Sequence, residues 1–287
     1  MGGSKTLEAS DPTYQTYLQV HRLPKLQKTL SEPKQHDELI FIVIHQASEL
    51  WFKVILHEME QVYEAMVSGE VMEATRLLNR VLEIETLLIQ QTRITERMLP
   101  TDFMKFRDFL GRASGLQSVQ FREIEFLSGL KDERFLLALN RPSEDYERLK
   151  GRFNGPSLWD GFRSVLAHEG FDIELSPDEE ELSEDERTNR KRDREVRALT
   201  EVYSSGMHFG LVQLAESLVT HDENFALWRY LHMAMVERMI GHKPGTGQGD
   251  VKEVTGRALT GVEYLKSTQT KRFFPALWMA RTFLTNM

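Results

Sequence analysis

The sequence predicts an all-α domain, a bundle of long antiparallel helices, and three observations carry that expectation. Apolar residues recur at three- and four-residue spacing through stretches far longer than a strand, over 39–67, 71–98 and 225–239, as in helices with one buried face. No run alternates apolar with polar residues, and no hairpin turn joins two apolar runs. Breakers separate the periodic stretches: Ser31-Glu32-Pro33, Ser68-Gly69-Glu70, Pro100-Thr101-Asp102, and Gly241 with Pro244. Helices of this kind bury their stripes against one another.

In chain order, residues 1–12 read as a loose arm, and Tyr14, Tyr17 and Leu18 open a short amphipathic piece running to about Leu30. In the first long helix Phe41, Ile44, His45, Ser48, Phe52 and Ile55 share one stripe. In the second, Leu77, Leu78, Val81, Leu82, Ile84 and Leu88 are the expected buried set. A helical segment spans Phe103 to Leu110, small residues interrupt it from Gly111 to Gly115, and periodicity resumes over Leu116–Leu127. Shorter helices are expected at 131–139, 143–151 and 156–169. The charged stretch 176–197 reads as an exposed loop feeding a helix, with Ser183 and Glu186 matching a capping box. A helix from Val196 to His221 and a separate one from Phe225 follow, the polar triplet Asp222-Glu223-Asn224 lying between them. The domain organisation expected is an arm over 1–30 and a single all-α domain over 31–287.

Composition narrows the chemistry. The 287 residues are enough for a sizeable core, and 40% hydrophobic with 28% charged residues is ordinary for a soluble chain. Lys+Arg 36 against Asp+Glu 44 leaves a net charge of -8, which disfavours nucleic acid and anionic lipid as partners. No stretch was expected to match the ~18 apolar residues of a membrane span, and MGGSKTLEAS has no hydrophobic signal core, so a cytoplasmic protein is expected. The absence of cysteine excludes disulfides, thiolate-ligated haem, iron–sulfur clusters and a cysteine nucleophile. Metal chemistry is left to the nine histidines and the carboxylates.

A di-iron carboxylate bundle needs Glu-x-x-His pairs, and none of the residues three positions before a histidine is a glutamate. His57-Glu58 has no second histidine for a zincin, and neither a P-loop nor a serine nucleophile elbow is present. Three groups remain. His232 shares a helix face with Trp228, Leu231, Met235 and Met239, ahead of a stop in which Gly241 suits a left-handed cap. A histidine so placed is either a satisfied core residue or an axial ligand to a haem, with Trp228 and Met235 as walls. Phe41 and His45 lie one turn apart on another helix, again a core pair or the edge of a polar cavity. Arg107 falls between Phe103 and Leu110, where its partner is either Asp102 or Asp108 or the carboxylate of a ligand. Gly245-Thr246-Gly247 adds a hydroxyl and free backbone N–H groups near the helix of His232.

SEPKQHDELIFIVIHQASELWFK, DFMKFRDFLGRASGLQSVQFREIEF and LWRYLHMAMVERMIGHKPGTG resemble three signature blocks of the tryptophan 2,3-dioxygenases, in the same order and with similar separations. The resemblance covers most of residues 14–130 and 220–247. It implies a helical bundle enclosing a haem pocket, a homotetramer, haem b (iron protoporphyrin IX) as cofactor and O2 as co-substrate. The implied reaction inserts both oxygen atoms across the indole C2–C3 bond of L-tryptophan, giving N-formylkynurenine, in the kynurenine route of tryptophan catabolism.

By the same resemblance His232 is the proximal iron ligand and His45 the distal residue that takes the indole N–H. Phe41 lines the indole pocket with Leu110 beside it, Arg107 binds the substrate carboxylate, and Thr246 contacts the ammonium. Ser114 and Gly115 face the haem edge, while Tyr14, Tyr17 and Leu18 complete a neighbouring subunit's pocket. Three departures stand out. Phe103 replaces a tyrosine that helps hold the carboxylate in many members, Thr92 stands where an aromatic residue is expected, and about ten extra residues over 248–261 follow the GTG loop. These departures leave open a substituted tryptophan as substrate, and a haem-dependent monooxygenase of a natural-product pathway as an alternative reaction. A haem-binding helical protein without turnover is the non-enzyme alternative.

Overall fold

The computed structural model describes residues 11–139, 143–176, 179, 181–256 and 259–285, and among these no strand occurs. The helices are α1 (Tyr14–Leu18), α2 (Glu38–Val67), α3 (Val71–Thr95), α4 (Pro100–Phe106), α5 (Val119–Leu127), α6 (Glu133–Leu137) and α7 (Glu144–Asn154). They continue with α8 (Leu158–His168), α9 (Glu184–Ser204), α10 (Phe209–Ile240), α11 (Gln248–Thr255), α12 (Gly261–Thr268) and α13 (Pro275–Ala280).

Helices α2, α3 and α10 form the frame. The turn Ser68–Glu70, with Gly69 at φ +76°, reverses the chain so that α2 and α3 pack antiparallel. Their register is fixed by Arg80 on Glu58 at one end and by Gln91 donating to Ser48 Oγ at 2.8 Å near the other. Helix α10 lies along α3 in the same direction, since Ser217 meets Asn79 and Asn224 meets Glu85 further along both helices. Short turns enforce antiparallel neighbours, but the connection from α3 to α10 is long and sets no such constraint. The bundle is therefore mixed rather than purely antiparallel. Ile55, Met59 and Val62 of α2, Leu78 and Val81 of α3 and Leu214 of α10 fill the main core, against which α5 and α8 also pack.

The polar triplet 222–224 does not break α10. Asp222 Oδ2 accepts from the backbone N–H of Phe273 at 3.0 Å and of Phe274 at 3.3 Å and from Trp278 Nε1 at 2.8 Å, while Asn224 donates to Glu85. Tertiary partners thus absorb the polarity that looked like a boundary. The break falls instead after Ser204, where Gly206 takes φ +66°, so the expected helix over Val196–His221 is two helices. Leu82 and Ile84 are only half-buried, whereas Glu85, outside the expected set, is buried.

Ser183 and Glu186 do form the capping box that starts α9. Among the described residues before α2 the chain is α-helical over Tyr14–Leu18 and takes a 3-10 turn over Leu23–Lys25, rather than one amphipathic piece running to Leu30. Glu38 ties that segment to the bundle by accepting from the backbone of Leu30 at 2.6 Å and of Ser31 at 3.0 Å. Burial raises the pKa of Glu38, but these hydrogen bonds outweigh it and hold the carboxyl below its usual range. One expectation fails on length and composition: α2 is long and apolar enough to cross a membrane, with mean hydropathy 1.6 over its best window, of which 17% is buried.

Candidate functional site

A cavity of about 280 Å³ lies between α2, α3, α4, α5, α10 and α12. Three walls of different chemistry enclose it.

The first wall is aromatic. Phe41 of α2 and Phe103 of α4 line the cavity with ring centroids 5.8 Å apart, and Phe106 backs both at 5.6 and 5.2 Å. Phe103, Phe106, Met98 and Met239 form a separate buried cluster, which gives this wall its own support. Beside it His45 packs on Phe41 at 4.3 Å between centroids and places Nδ1 2.7 Å from the Phe41 carbonyl. A carbonyl only accepts, so Nδ1 carries a proton, and the tautomer this selects has its acceptor lone pair on Nε2.

The second wall is α10. Trp228, His232, Met235 and Met239 all line the cavity. Trp228 stacks on His232 at 5.1 Å with planes 6° apart, which fixes the plane of the imidazole. Of the expected buried stripe only Met239 is fully buried; Trp228, Leu231 and Met235 are half-buried, three of the four residues facing a cavity rather than a filled core. His232 Nδ1 is buried and has no hydrogen-bond partner. Burial, and then the field of His45, pull its pKa down to about 4, so the ring is neutral at pH 7. Gly241 ends the helix with φ +61° but ψ −136°, outside the left-handed helical region expected.

The third wall is the mouth, where the segment after α10 meets the segment after α4. Helix α4 tightens into a 3-10 turn over Arg107–Leu110, and Arg107 donates to the Pro244 carbonyl. Neither Asp102, which pairs with Lys105 at 2.6 Å, nor Asp108 forms an ion pair with Arg107. Thr246 Oγ1 donates to the Ala113 carbonyl at 2.7 Å. Gly247 rests on Ser114 so closely that a Cβ there would lie 2.3 Å from Ser114 Oγ. The extra residues after the GTG loop form α11 and the start of the capped helix α12. Val251 of α11 lines the cavity and, with Val254, packs against Phe126, Phe135 and Tyr264. That insertion is therefore a packed wall.

Ten of the expected site residues gather here: Phe41, His45, Phe103, Arg107, Ser114, Gly115, Trp228, His232, Met235 and Thr246. Leu110 does not line the cavity; like Phe41 it packs against the cluster of Met98, Phe103, Phe106 and Met239. Tyr14, Tyr17 and Leu18 lie on the exposed α1, the tyrosines 71% and 77% accessible, apart from the cavity of their own chain. Thr92 lines the cavity and is buried, its hydroxyl donating to the Leu88 carbonyl at 3.3 Å.

Sequence reasoning missed the charged inner end, where Arg122 and Glu125 of α5, Arg229 of α10 and Tyr264 of α12 line the cavity. Arg122 and Glu125 resemble a solvated pair at i, i+3. Their neighbours Phe121, Ile124, Phe126 and Leu127 carried the signal, because a helix apolar on every side is buried with whatever charges it holds.

The model of the family described as tryptophan 2,3-dioxygenase matches residues 1–154 and 163–284. Three relatives bear the same name. The one from Bacillus cereus is 40% identical over 274 residues, covering 95% of this chain and 92% of its own length. The Nocardioides protein is 41% identical over 280 residues, covering 95% and 94%. The Caulobacter vibrioides protein is 40% identical over 277 residues, covering 96% and 100%. With the cavity, its two facing imidazoles and these matches taken together, the chain belongs to the tryptophan 2,3-dioxygenase family.

Proposed function

We propose that this protein is a haem-dependent dioxygenase that adds O2 across the indole C2–C3 bond of L-tryptophan, or a close analogue, to give N-formylkynurenine. The observation that carries the reading is the meeting, in one apolar cavity, of an imidazole whose buried Nδ1 has no partner with the polar groups an indole amino acid requires.

The donor set fits a porphyrin iron. Among the described residues no group of three or more His, Asp or Glu is placed to hold a metal ion, so His232 offers a single ligand and the other nitrogens would come from a macrocycle. Its neutrality, its rigid helix and the stacked Trp228 suit an axial ligand. Haem b, when bound, would supply the ferrous iron that activates O2.

The chain's own residues select and orient the substrate. His45 Nε2, left as an acceptor by the Nδ1–Phe41 bond, takes the indole N–H while Phe41 and Phe103 hold the ring. Arg107 exchanges the neutral Pro244 carbonyl for the substrate carboxylate, a stronger charge-assisted partner. Thr246 exchanges the Ala113 carbonyl for the ammonium group. Fixing three points of one molecule presents the same ring edge to the oxidant at every turnover, a proximity effect. An analogue lacking the carboxylate or the ammonium leaves Arg107 or Thr246 on its neutral carbonyl and forgoes the stronger contact.

Helix α2 keeps Leu39, Val43, Leu50 and Val54 exposed, and the α1 tyrosines stand clear of their own chain. Both features support a homotetramer in which α1 completes a neighbour's pocket. The test is anaerobic titration of the haem-loaded protein with L-tryptophan, followed by isotopically labelled O2. A shifted Soret band and a product carrying two labelled atoms are expected. A product with one labelled atom selects the monooxygenase alternative, and no O2 uptake removes the enzymatic reading.

A further inference from the structure

Three partly buried arginines of this chain each meet two acids. Arg194 has Asp172 and Glu179, Arg163 has Glu174 and Glu195, and Arg152 has Glu60 and Glu123. At the inner end of the cavity the ratio is reversed. Arg122 and Arg229, 6% and 3% exposed, share the one carboxylate of Glu125, itself 4% exposed. Arg122 Nη1 donates to Oε2 at 2.5 Å and Arg229 Nη2 to Oε1 at 2.8 Å.

Every other contact of the two guanidinium groups is neutral. Arg122 Nη2 reaches the Tyr264 hydroxyl at 3.4 Å, its plane covers the Phe135 ring at 3.7 Å, and Arg229 Nη1 meets the Lys271 carbonyl at 3.3 Å. Asp132, the nearby acid, is already matched by Arg134 and Lys271. Arg122 Nε is buried and donates to nothing. Among these direct contacts one positive charge is thus left over, in a wall of the cavity and out of water, where an unmatched ion is costly. The planar fork of a guanidinium matches a carboxylate best.

We propose that Arg122 and Arg229 form a carboxylate seat that takes an acidic side arm of the bound macrocycle. The proposal rests on the haem reading above. Position favours the macrocycle over the amino acid: Arg229 leaves α10 one turn before His232, whereas Arg107 and the aromatic wall serve the mouth. Glu125 is then a positioning residue that holds both guanidinium groups at the cavity and keeps the cofactor-free chain from burying two bare charges.

The test compares haem b with its dimethyl ester, in which both carboxylates are capped, on the full-length chain. Soret absorbance reports loading, and transfer to excess apomyoglobin reports the rate of loss. Wild-type protein is expected to lose the ester about tenfold faster than haem, the worth of one charge-assisted contact. Arg122→Met is expected to narrow the gap to about threefold or less, with Arg122→Lys between. Glu125→Gln frees a guanidinium and should keep or widen the gap, whereas general damage would speed both losses alike. It carries the test if Arg122→Met fails to fold.

Equal retention of haem and ester by the wild type overturns the proposal, as does a narrowed gap in Glu125→Gln. If Arg122→Met weakens the Soret response to L-tryptophan but not to tryptamine, with the haem–ester gap intact, the seat belongs to the substrate and the assignment to the macrocycle falls. If neither haem nor ester gives a Soret band, the haem reading itself falls and takes this proposal with it.

Discussion

Two histidines on α10, three turns apart, lie on nearly the same face and have opposite fates. His221 is fully buried, with Nδ1 2.5 Å from Glu85 Oε1 and Nε2 2.8 Å from Ser128 Oγ, so both ring nitrogens are used by α3 and α5. His232 is also enclosed, but its Nδ1 has no partner and its ring lines a cavity. The first is a clamp between helices and the second a group held ready for something else. Buried polar atoms in folded proteins are almost always paired, so the exception marks the site more sharply than burial does.

That contrast breaks most directly by exchanging the losses. His232→Ala is expected to abolish axial coordination, eliminating the native Soret spectrum, with partial return on adding imidazole. His221→Ala should keep the spectrum of whatever fraction folds but destabilise the chain by roughly 3–5 kcal/mol, because the buried Glu85 carboxylate is left with the neutral Asn224 alone. Denaturant unfolding and Soret titration of both variants check the pair. A normal spectrum in His232→Ala would reverse the assignment.

At the mouth the same logic applies to groups that are paired now and exchange later. Arg107→Met should raise KM for L-tryptophan by roughly 10–150-fold, equivalent to about 1.5–3 kcal/mol, and leave the spectral response to tryptamine unchanged. Equal losses for both ligands would mean that Arg107 only braces Pro244. Gly247→Ala forces the Thr246 loop off Ser114 at a cost of about 1–3 kcal/mol, seen as a several-fold rise in KM. Adding Ser114→Gly to that variant should recover part of the loss; no recovery would place the strain elsewhere.

The smallest effect belongs to a pair outside the cavity. The hydrogen bond from Arg134, opposed by partial burial and helped by Lys271, holds Asp132 down at about 2. A carboxyl depressed in the fold stabilises it above its unfolded value of about 3.9, and that contribution disappears as pH falls from there towards 2. Asp132→Asn should lower the thermal midpoint by a few degrees at pH 6 and converge with wild type by pH 2. A midpoint difference that stays constant with pH would assign the effect to the α6 cap instead.

Much of the site was legible beforehand. Periodicity placed Phe41 and His45 on one stripe and Trp228, His232, Met235 and Met239 on another, because side-chain direction along a helix follows from its 3.6-residue turn. The motif blocks then assigned roles to Arg107 and Thr246. What escaped were groups whose meaning depends on a partner far along the chain. Glu85 lay outside the expected buried set although His221 and Asn224 reach it, and Asp222 looked like a helix boundary until the backbone of Phe273 and Phe274 filled its carboxylate. Arg122 and Glu125 had no role assigned to them until α5 proved buried along most of its length.

The sequence alone determined that this chain is helical, where most of its helices start and stop, and which residues share a face, since those are local consequences of backbone geometry and side-chain spacing. It also carried the motifs by which the family was recognised. Only the tertiary structure decided which face closes on a core and which on a cavity, that α10 lies parallel to α3, and that two arginines must share one glutamate. Those outcomes depend on what each buried polar atom meets across the fold, and desolvation makes an unmatched one costly.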